Sequence, residues 1–488
     1  MYSSKDIEKA KEKDLKKIND RWEKIESDLI RKTDITMGHD ITNALRELHD
    51  LITKGKVVEW FANLYDAECG GFYYSNSARD TEGFLPDLES TRQALAYFES
   101  CGMTSEFGGN MVAALPEWIG GDIIRFVKKM QDKNGYFYHP QWSREDSDAH
   151  LARLGRDLEW ALWLLDKFGA KPTYDTPSGV KGDGLLADGT TAPDFSCSAC
   201  DGKRDGNESE ELVKEHLRDK ESFTLYLKEF EDSGEIYTNS WKVGNLLESQ
   251  ATMIYGRDEV LKSRGADYSL CDILAEWLKT HQNPKNGAWT RGDKIDTGST
   301  NGILKIASAY NKIKREFPRP LSAIDTAITI AKSRDPIPSI CHALNPWYAM
   351  SVLITNVKNY NASEDKETVI REVSRLGDRI LENAADMIRA ASEKLSALKM
   401  ADGSFEFAAN GKNGYAQGMP IAVQDLHEGD VNAYICTRAV PAHIYNVLGY
   451  ENMPLFGEAD RMVFVNILEE KHRQKNDKKQ YAEGGTTE

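Results

Sequence analysis

Apolar residues recur at helical spacing along almost the whole chain, and runs that alternate with period two are short and rare. The pattern predicts helix after helix. Four times a helix gives way to a glycine-containing turn and then an aromatic residue. These turns are Tyr65–Tyr73 with Gly70-Gly71-Phe72, Gln131–Tyr138 with Asn134-Gly135-Tyr136, Gln282–Trp289 with Asn286-Gly287-Ala288-Trp289, and Met400–Phe405 with Asp402-Gly403-Ser404-Phe405. Glycine, often after Asn or Asp, takes the left-handed turn that stops a helix. The aromatic then packs the reversed chain back on the body. A loop and a second helix follow each turn: Asp87–Glu99, Leu151–Lys167, Ser299–Lys312 and Asp430–Leu448. These second helices are apolar on more than one face, as buried helices are.

Gly71, Gly135, Gly287 and Gly403 stand 64, 152 and 116 residues apart. The two wider gaps are each about twice a single unit, which predicts two degenerate units. One pairs an outer helix Ser209–Glu231 with an inner helix Asn239–Tyr255; the other pairs Leu321–Lys332 with Ile340–Val357. Six hairpins result. Units of this form resemble the α/α toroid shared by terpenoid cyclases, polysaccharide lyases, many glycoside hydrolases and the N-acylglucosamine 2-epimerases. The resemblance covers residues 40–450 and implies an all-α fold, an (α/α)6 barrel of six helical hairpins. It speaks for architecture and leaves the reaction open. Residues 1–35 read as an added charged helix, 36–475 as the toroid and 476–488 as a disordered polar tail. The N-terminal helix either packs on the outside or serves homo-oligomerisation.

Composition removes several function classes. With 62 Lys and Arg against 78 Asp and Glu the net charge is −16, so the basic footprint of a nucleic-acid binder is missing. With 16 Phe, 20 Tyr and 10 Trp the chain is too aromatic for a disordered protein. No run approaches the roughly 18 apolar residues that span a bilayer, so no membrane association is expected. The charged N-terminus and seven cysteines point to reduced thiols and a cytoplasmic location. Cys197 and Cys200 form one C-x-x-C; with only His216 to add, it falls short of four zinc ligands. No nucleotide, metalloprotease or nucleophile-elbow fingerprint occurs, so no cofactor is expected. Tyr174–Asp205, punctuated by Gly179, Gly182, Gly184, Gly189 and Gly202, reads as a long rim excursion.

In such a toroid the loops entering the inner helices gather at one mouth, where helix N-termini favour anions. Polar residues at the first three entrances are Asp87, Glu89 and Arg92; Trp142, Arg144, Asp146, Asp148 and His150; and Asn239, Trp241, Asn245 and Glu248. The other three hold Arg291, Asp293, Asp296, Thr300, Asn301 and Lys305; His342, Asn345, Trp347 and Tyr348; and Gln424, His427, Glu428, Asp430 and Asn432.

Two constellations carry chemistry. His342 and Asn345 share one helix face, with Tyr348 close by and Pro346 read into the first turn. His342 and Tyr348 would transfer protons, while Asn345 and Arg291 neutralise a substrate carboxylate. Trp142 and Trp347 would stack on sugar rings, and Arg144 and His427 would line the same mouth. The competing reading makes His342 a helix cap and Trp347 core. The second constellation is acidic: Asp146, Asp148, Glu428 and Asp430. A pair such as Asp146 and Glu428, at roughly 6.5–9.5 Å, would suit hydrolysis with inversion. Against that, Asp is a preferred helix N-cap.

The leading expectation is a cytoplasmic enzyme that cleaves a glycosidic bond in uronate-containing oligosaccharides by elimination. Alternatives are a hydrolase with paired carboxylates, a sugar epimerase, a terpenoid-cyclase-like enzyme, or a protein-binding scaffold. The acidic D-x-D-D of class II cyclases is absent, and Asp430, Cys436 and His443 depart from the prenyltransferase zinc spacing. The acidic balance disfavours long polyanions but not short ones.

Overall fold

A computed structural model describes residues 1–193, 214–361, 365–411 and 414–484. Cys197, Cys200 and the end of the rim excursion lie outside the described residues. The described chain is helical, with only two minimal hairpins of β-structure, Tyr65–Asp66 with Gly71–Phe72 and Tyr415–Ala416 with Met419–Pro420.

The principal helices, numbered in chain order with short helical turns unlabelled, begin with α1 (Ser4–Lys32), α2 (Ile35–Thr53), α3 (Val57–Asn63) and α4 (Leu88–Ser100). Next come α5 (Glu117–Lys129), α6 (Leu151–Lys167), α7 (Lys220–Asp232), α8 (Ser240–Ser263), α9 (Leu270–His281) and α10 (Thr297–Lys312). The last are α11 (Pro320–Lys332), α12 (Cys341–Tyr360), α13 (Lys366–Leu381), α14 (Ala384–Ser396), α15 (Val431–Leu448) and α16 (Glu458–Gly484). Six pairs follow the helix–turn–helix order expected: α3/α4, α5/α6, α7/α8, α9/α10, α11/α12 and α14/α15. Helix α13 is an insertion that the repeat does not announce. The helical backbone of α16 also carries on well past residue 475, into the segment read as a tail.

The second helices of the pairs pack side by side in the row α6–α4–α15–α12–α10–α8. Residues at similar depth meet across every seam: Arg153 with Glu89, Gln93 with Asn432, Tyr348 with His443, Asn345 with Asn301, and Lys305 with Glu248. The six helices therefore run parallel, with their N-termini at one end. Side chains begin them as well: Asp87 accepts from the Ser90 amide, Asp296 from Ser299, Asn239 from Lys242 and Asp430 from Ala433.

The turns work as the sequence suggests. Phe72, Phe137, Trp289 and Phe405 are all buried, and the Trp289 indole donates to the Leu278 carbonyl at 2.9 Å. In the first turn the left-handed residue is Gly70, with φ +88°, and Gly71 belongs to the following strand. Pro346 lies in the second turn of α12 because that helix starts at Cys341. Its missing N–H leaves the His342 carbonyl without the usual helical donor. Helix α1 lies against α2 and α16 through buried Trp22, Ile25 and Leu29, so its apolar stripe is covered.

Gly287 has φ +66°, and a Cβ there would press on the backbone of Ala323 at the start of α11. Gly287→Ala is expected to destabilise the fold by about 1–3 kcal/mol, the cost of holding such strain. An unchanged denaturation midpoint would show that this turn does not set how closely the chain packs on the start of α11.

Candidate functional site

The N-terminal ends of α4 and α6 meet around one buried cation. Arg153 is 2% exposed and bonds three carboxylates: Asp87 at 2.9 Å, Glu89 at 3.1 Å and Asp157 at 3.0 Å. Arg153 and Asp157 lie one helical turn apart on α6, and Asp87 and Glu89 begin α4. The Trp142 ring lies 4.6 Å from the Arg153 guanidinium and 4.5 Å from the His139 ring. Arg156, its side chain 50% exposed, approaches Glu89 at 3.7 Å. The Gln417 amide bridges that pair, donating to Glu89 at 2.9 Å and accepting from Arg156 at 2.6 Å. Gln417 occupies the tip of the second hairpin with φ +48°, next to Gly418 at +87°. Two successive left-handed residues are what a tight two-residue hairpin requires.

Three buried carboxyl groups share one buried guanidinium, and for two of them burial favours the neutral form. Burial pushes Glu89 up to about 7, opposed by Arg153, and pushes Asp157 up to about 6. Asp430, fully enclosed, is raised by burial to about 7, although the Ala433 and Phe407 amides at 2.7 and 2.8 Å and Tyr74 work against the shift. Glu428 is held by the Ser75 hydroxyl at 2.8 Å, the Ser77 amide at 2.9 Å and the Ser77 hydroxyl. Glu89, Asp157 and Asp430 thus keep their protons to higher pH than ordinary carboxyl groups.

A second polar surface runs along the row. On α12, Cys341, Asn345 and Tyr348 recur at helical spacing; on α15, Asn432, Cys436, Ala439 and His443 do the same. The Tyr348 and His443 rings stack at 4.3 Å, only 18° from parallel. Burial, then the Arg438 charge, takes His443 down to about 4. Asn345 donates to Asn301 at 2.8 Å. Arg92 of α4 and Arg438 of α15 are half-buried, and neither meets a carboxylate among the described residues. The Nε atom of each is buried without a hydrogen-bond partner. Burial and the nearby Arg92 charge both depress Arg438. Arg92 rests its cation on Trp163, 5.1 Å away.

The candidates named from sequence are dispersed over these features. Asp146 accepts from Ser143 at 2.6 Å in the exposed turn Arg144–Ala149, where Ser143, not Asp146, is the cap. Asp148 takes the Tyr138 hydroxyl at 2.9 Å and Arg144 at 3.2 Å. Arg144 lies 3.5 Å over the Tyr138 ring and also pairs with Asp132, which places it among rim side chains. His342 faces Ser339, with Nδ1 3.1 Å from the hydroxyl and 3.2 Å from the carbonyl, and burial lowers its pKa. His427 is largely exposed and pairs with Glu406 at 2.9 Å. Arg291 stands over Tyr237 at 4.9 Å in a separate cleft of about 310 Å³, lined also by Trp241, Lys294 and Asp296. Trp347 is 1% exposed, so it packs the core and presents no platform. Asp430 is both a helix cap and a buried acid.

Glu89 and Arg92 were visible as entrance residues, whereas Arg153, Asp157, Arg438 and Gln417 were missed. The available signal was charge at inward positions of helices otherwise rich in apolar residues. Among the described residues no group of three or more His, Cys, Asp or Glu side chains is arranged to hold a metal ion, and no helix is long and apolar enough to cross a membrane.

The raised acids make stability depend on pH. The folded chain holds the Glu89 proton to about 7, against an ordinary value of 4.5, so stability falls as pH rises through that window. Glu89→Gln is expected to remove a loss on the order of 3 kcal/mol between pH 5 and pH 8. Denaturation curves with the same pH slope in both proteins would contradict the assignment. No family model matches the chain, and no curated protein or solved structure matches it either.

Proposed function

We propose that the six-helix row closes as an (α/α)6 toroid, and that its inward surface cleaves short acidic oligosaccharides by elimination. The supporting observation is the pair Arg92 and Arg438, half-buried cations on adjacent helices with no carboxylate to neutralise them among the described residues. Such groups are costly unless a ligand anion completes them. A uronate carboxylate has the right charge and the planar geometry that guanidinium groups bind. Neutralising it makes the neighbouring C–H more acidic, which is what elimination needs.

The remaining chemistry is assigned to Tyr348 and His443. His443, neutral through burial, accepts the proton from C5 of the uronate, and the electron pair forms the C4=C5 bond as C4–O breaks. Tyr348, stacked on His443, delivers a proton to the departing glycosidic oxygen. Asn345 and Asn301 supply amide donors to the carboxylate. His443 thus takes the place first given to His342, and Arg92 with Arg438 the place first given to Arg291. The cytoplasmic setting expected from the cysteines suits small imported fragments better than polymers.

A second reading rests on a different observation, the proton held by Glu89 near neutrality. In that case Glu89 protonates the leaving oxygen and a second carboxylate directs water, giving hydrolysis. The two readings separate by mutation. On uronate oligosaccharides analysed by mass spectrometry, Tyr348→Phe is expected to cut turnover about 100-fold or more. Arg438→Ala is expected to weaken substrate binding as well, while Glu89→Gln leaves turnover within a few-fold. A variant set in which Glu89→Gln alone abolishes cleavage would favour hydrolysis. No cleavage of any acidic oligosaccharide by the native chain would overturn both.

A further inference from the structure

The starts of α8 and α10 flank a cleft of about 310 Å³, lined by Tyr237, Ser240 and Trp241 from one side and by Arg291, Lys294 and Asp296 from the other. The loop that carries the two cations is braced by two amides. Asn283 donates to the Gly292 carbonyl at 2.8 Å, and the largely buried Asn286 donates to the same carbonyl at 3.2 Å and to the Thr290 hydroxyl at 3.0 Å. Arg291 is thereby held over Tyr237, 4.9 Å from the ring.

The carboxylates nearby are engaged elsewhere. Asp293 pairs with Lys285 at 2.9 Å and Glu235 with Lys242 at 2.7 Å. Asp296 accepts from the Ser299 amide at 2.8 Å and from its hydroxyl at 3.0 Å. Among the described residues, Arg291 and Lys294 meet no carboxylate. Ser240 lines the cleft although it is only 5% exposed, and its hydroxyl has no hydrogen-bond partner among the described residues. That hydroxyl lies in the seam between the two helices, where a Cβ added at Gly302 would collide with it. Trp241, by contrast, is 46% exposed, a large apolar ring left in water at the edge of a polar cleft.

We propose that this cleft binds the phosphate ester of a monosaccharide, with the phosphate on Arg291, Lys294 and the Ser240 hydroxyl and the sugar ring on Trp241. A phosphate monoester carries close to two charges at neutral pH and presents three oxygens. A guanidinium fork, an ammonium and a hydroxyl can each meet a different one. A carboxylate, with one charge and two oxygens, would leave one cation unanswered. The volume is at the lower end for small-molecule pockets, which suits one sugar ring and its ester better than an oligosaccharide. The exposed indole offers the flat apolar face on which the C–H groups of such a ring pack. The lining includes none of Arg92, Arg438, Tyr348 or His443, so the inference stands whether or not the elimination reading does.

The test is calorimetric titration of the full-length protein with glucose 6-phosphate, inorganic phosphate and glucose. Glucose 6-phosphate is expected to bind saturably at one site per chain, inorganic phosphate more weakly and glucose not measurably. Arg291→Ala is expected to weaken glucose 6-phosphate binding about tenfold or more, the loss of a charge-assisted contact. Trp241→Ala is expected to weaken the ester and leave inorganic phosphate unchanged. Both side chains are exposed, so the variants keep the fold, which circular dichroism checks. Arg438→Ala is expected to leave the titration unchanged; loss of binding in that variant would place the anion between α4 and α15 and overturn the proposal. So would the absence of saturable glucose 6-phosphate binding, an unchanged affinity in Arg291→Ala, or inorganic phosphate bound as tightly as the ester.

Discussion

The cost of removing charge from water is the constraint on which the rest of this structure depends. Parallel helices packed side by side bury much of the surface they share, so a charged side chain enclosed there must find a partner or change its protonation. Arg153 meets the demand with three carboxylates, and two of them, Asp157 and Glu89, meet it by holding protons to about 6 and 7. The same group ties the first turns of α4 and α6 together. Arg92 and Arg438 meet no carboxylate among the described residues, and the Nε of each is buried without a hydrogen-bond partner. That contrast, one cation with three carboxylates and two cations with none among the described residues, underlies the proposed division between a structural charge cluster and a binding surface.

Much of the architecture was legible in the sequence because its causes are local. A glycine with positive φ ends a helix, an aromatic two residues on seals the turn, and an Asp or Asn restarts the chain as the next helix. Gly135, Gly287 and Gly403 each follow that rule, and Asp87, Asp296 and Asp430 begin the helices expected of them. The degenerate units were inferred from spacing alone. Their inner helices are present as α8 and α12, although the fifth unit turns through Ser333–Pro336 without a glycine. Helix α13 escaped because an insertion between hairpins leaves the aromatic turn signal untouched.

The site was less legible because it depends on which inward positions face one another across seams. His342 and Asn345 share a helix face, as their spacing requires, but His342 is spent on Ser339 at the helix start. Tyr348 finds its imidazole instead on α15, nearly a hundred residues later in the chain. Trp347, adjacent to Tyr348, points into the core, since neighbouring residues on a helix diverge by about 100°. Arg291 lies in the loop before α10, and its guanidinium settles on Tyr237, in a cleft of its own between the starts of α8 and α10. Helix capping, aromatic stacking and burial each claimed a residue that sequence order alone had assigned to chemistry.

The most direct test of the central claim is the ultraviolet absorbance of a digest of short uronate oligosaccharides. Elimination leaves a C4=C5 double bond conjugated to the carboxylate, so absorbance should grow in step with the number of bonds broken. It should fall with Tyr348→Phe. Bond cleavage with new reducing ends and no new absorbance would contradict elimination and leave the Glu89 cluster as the reacting centre.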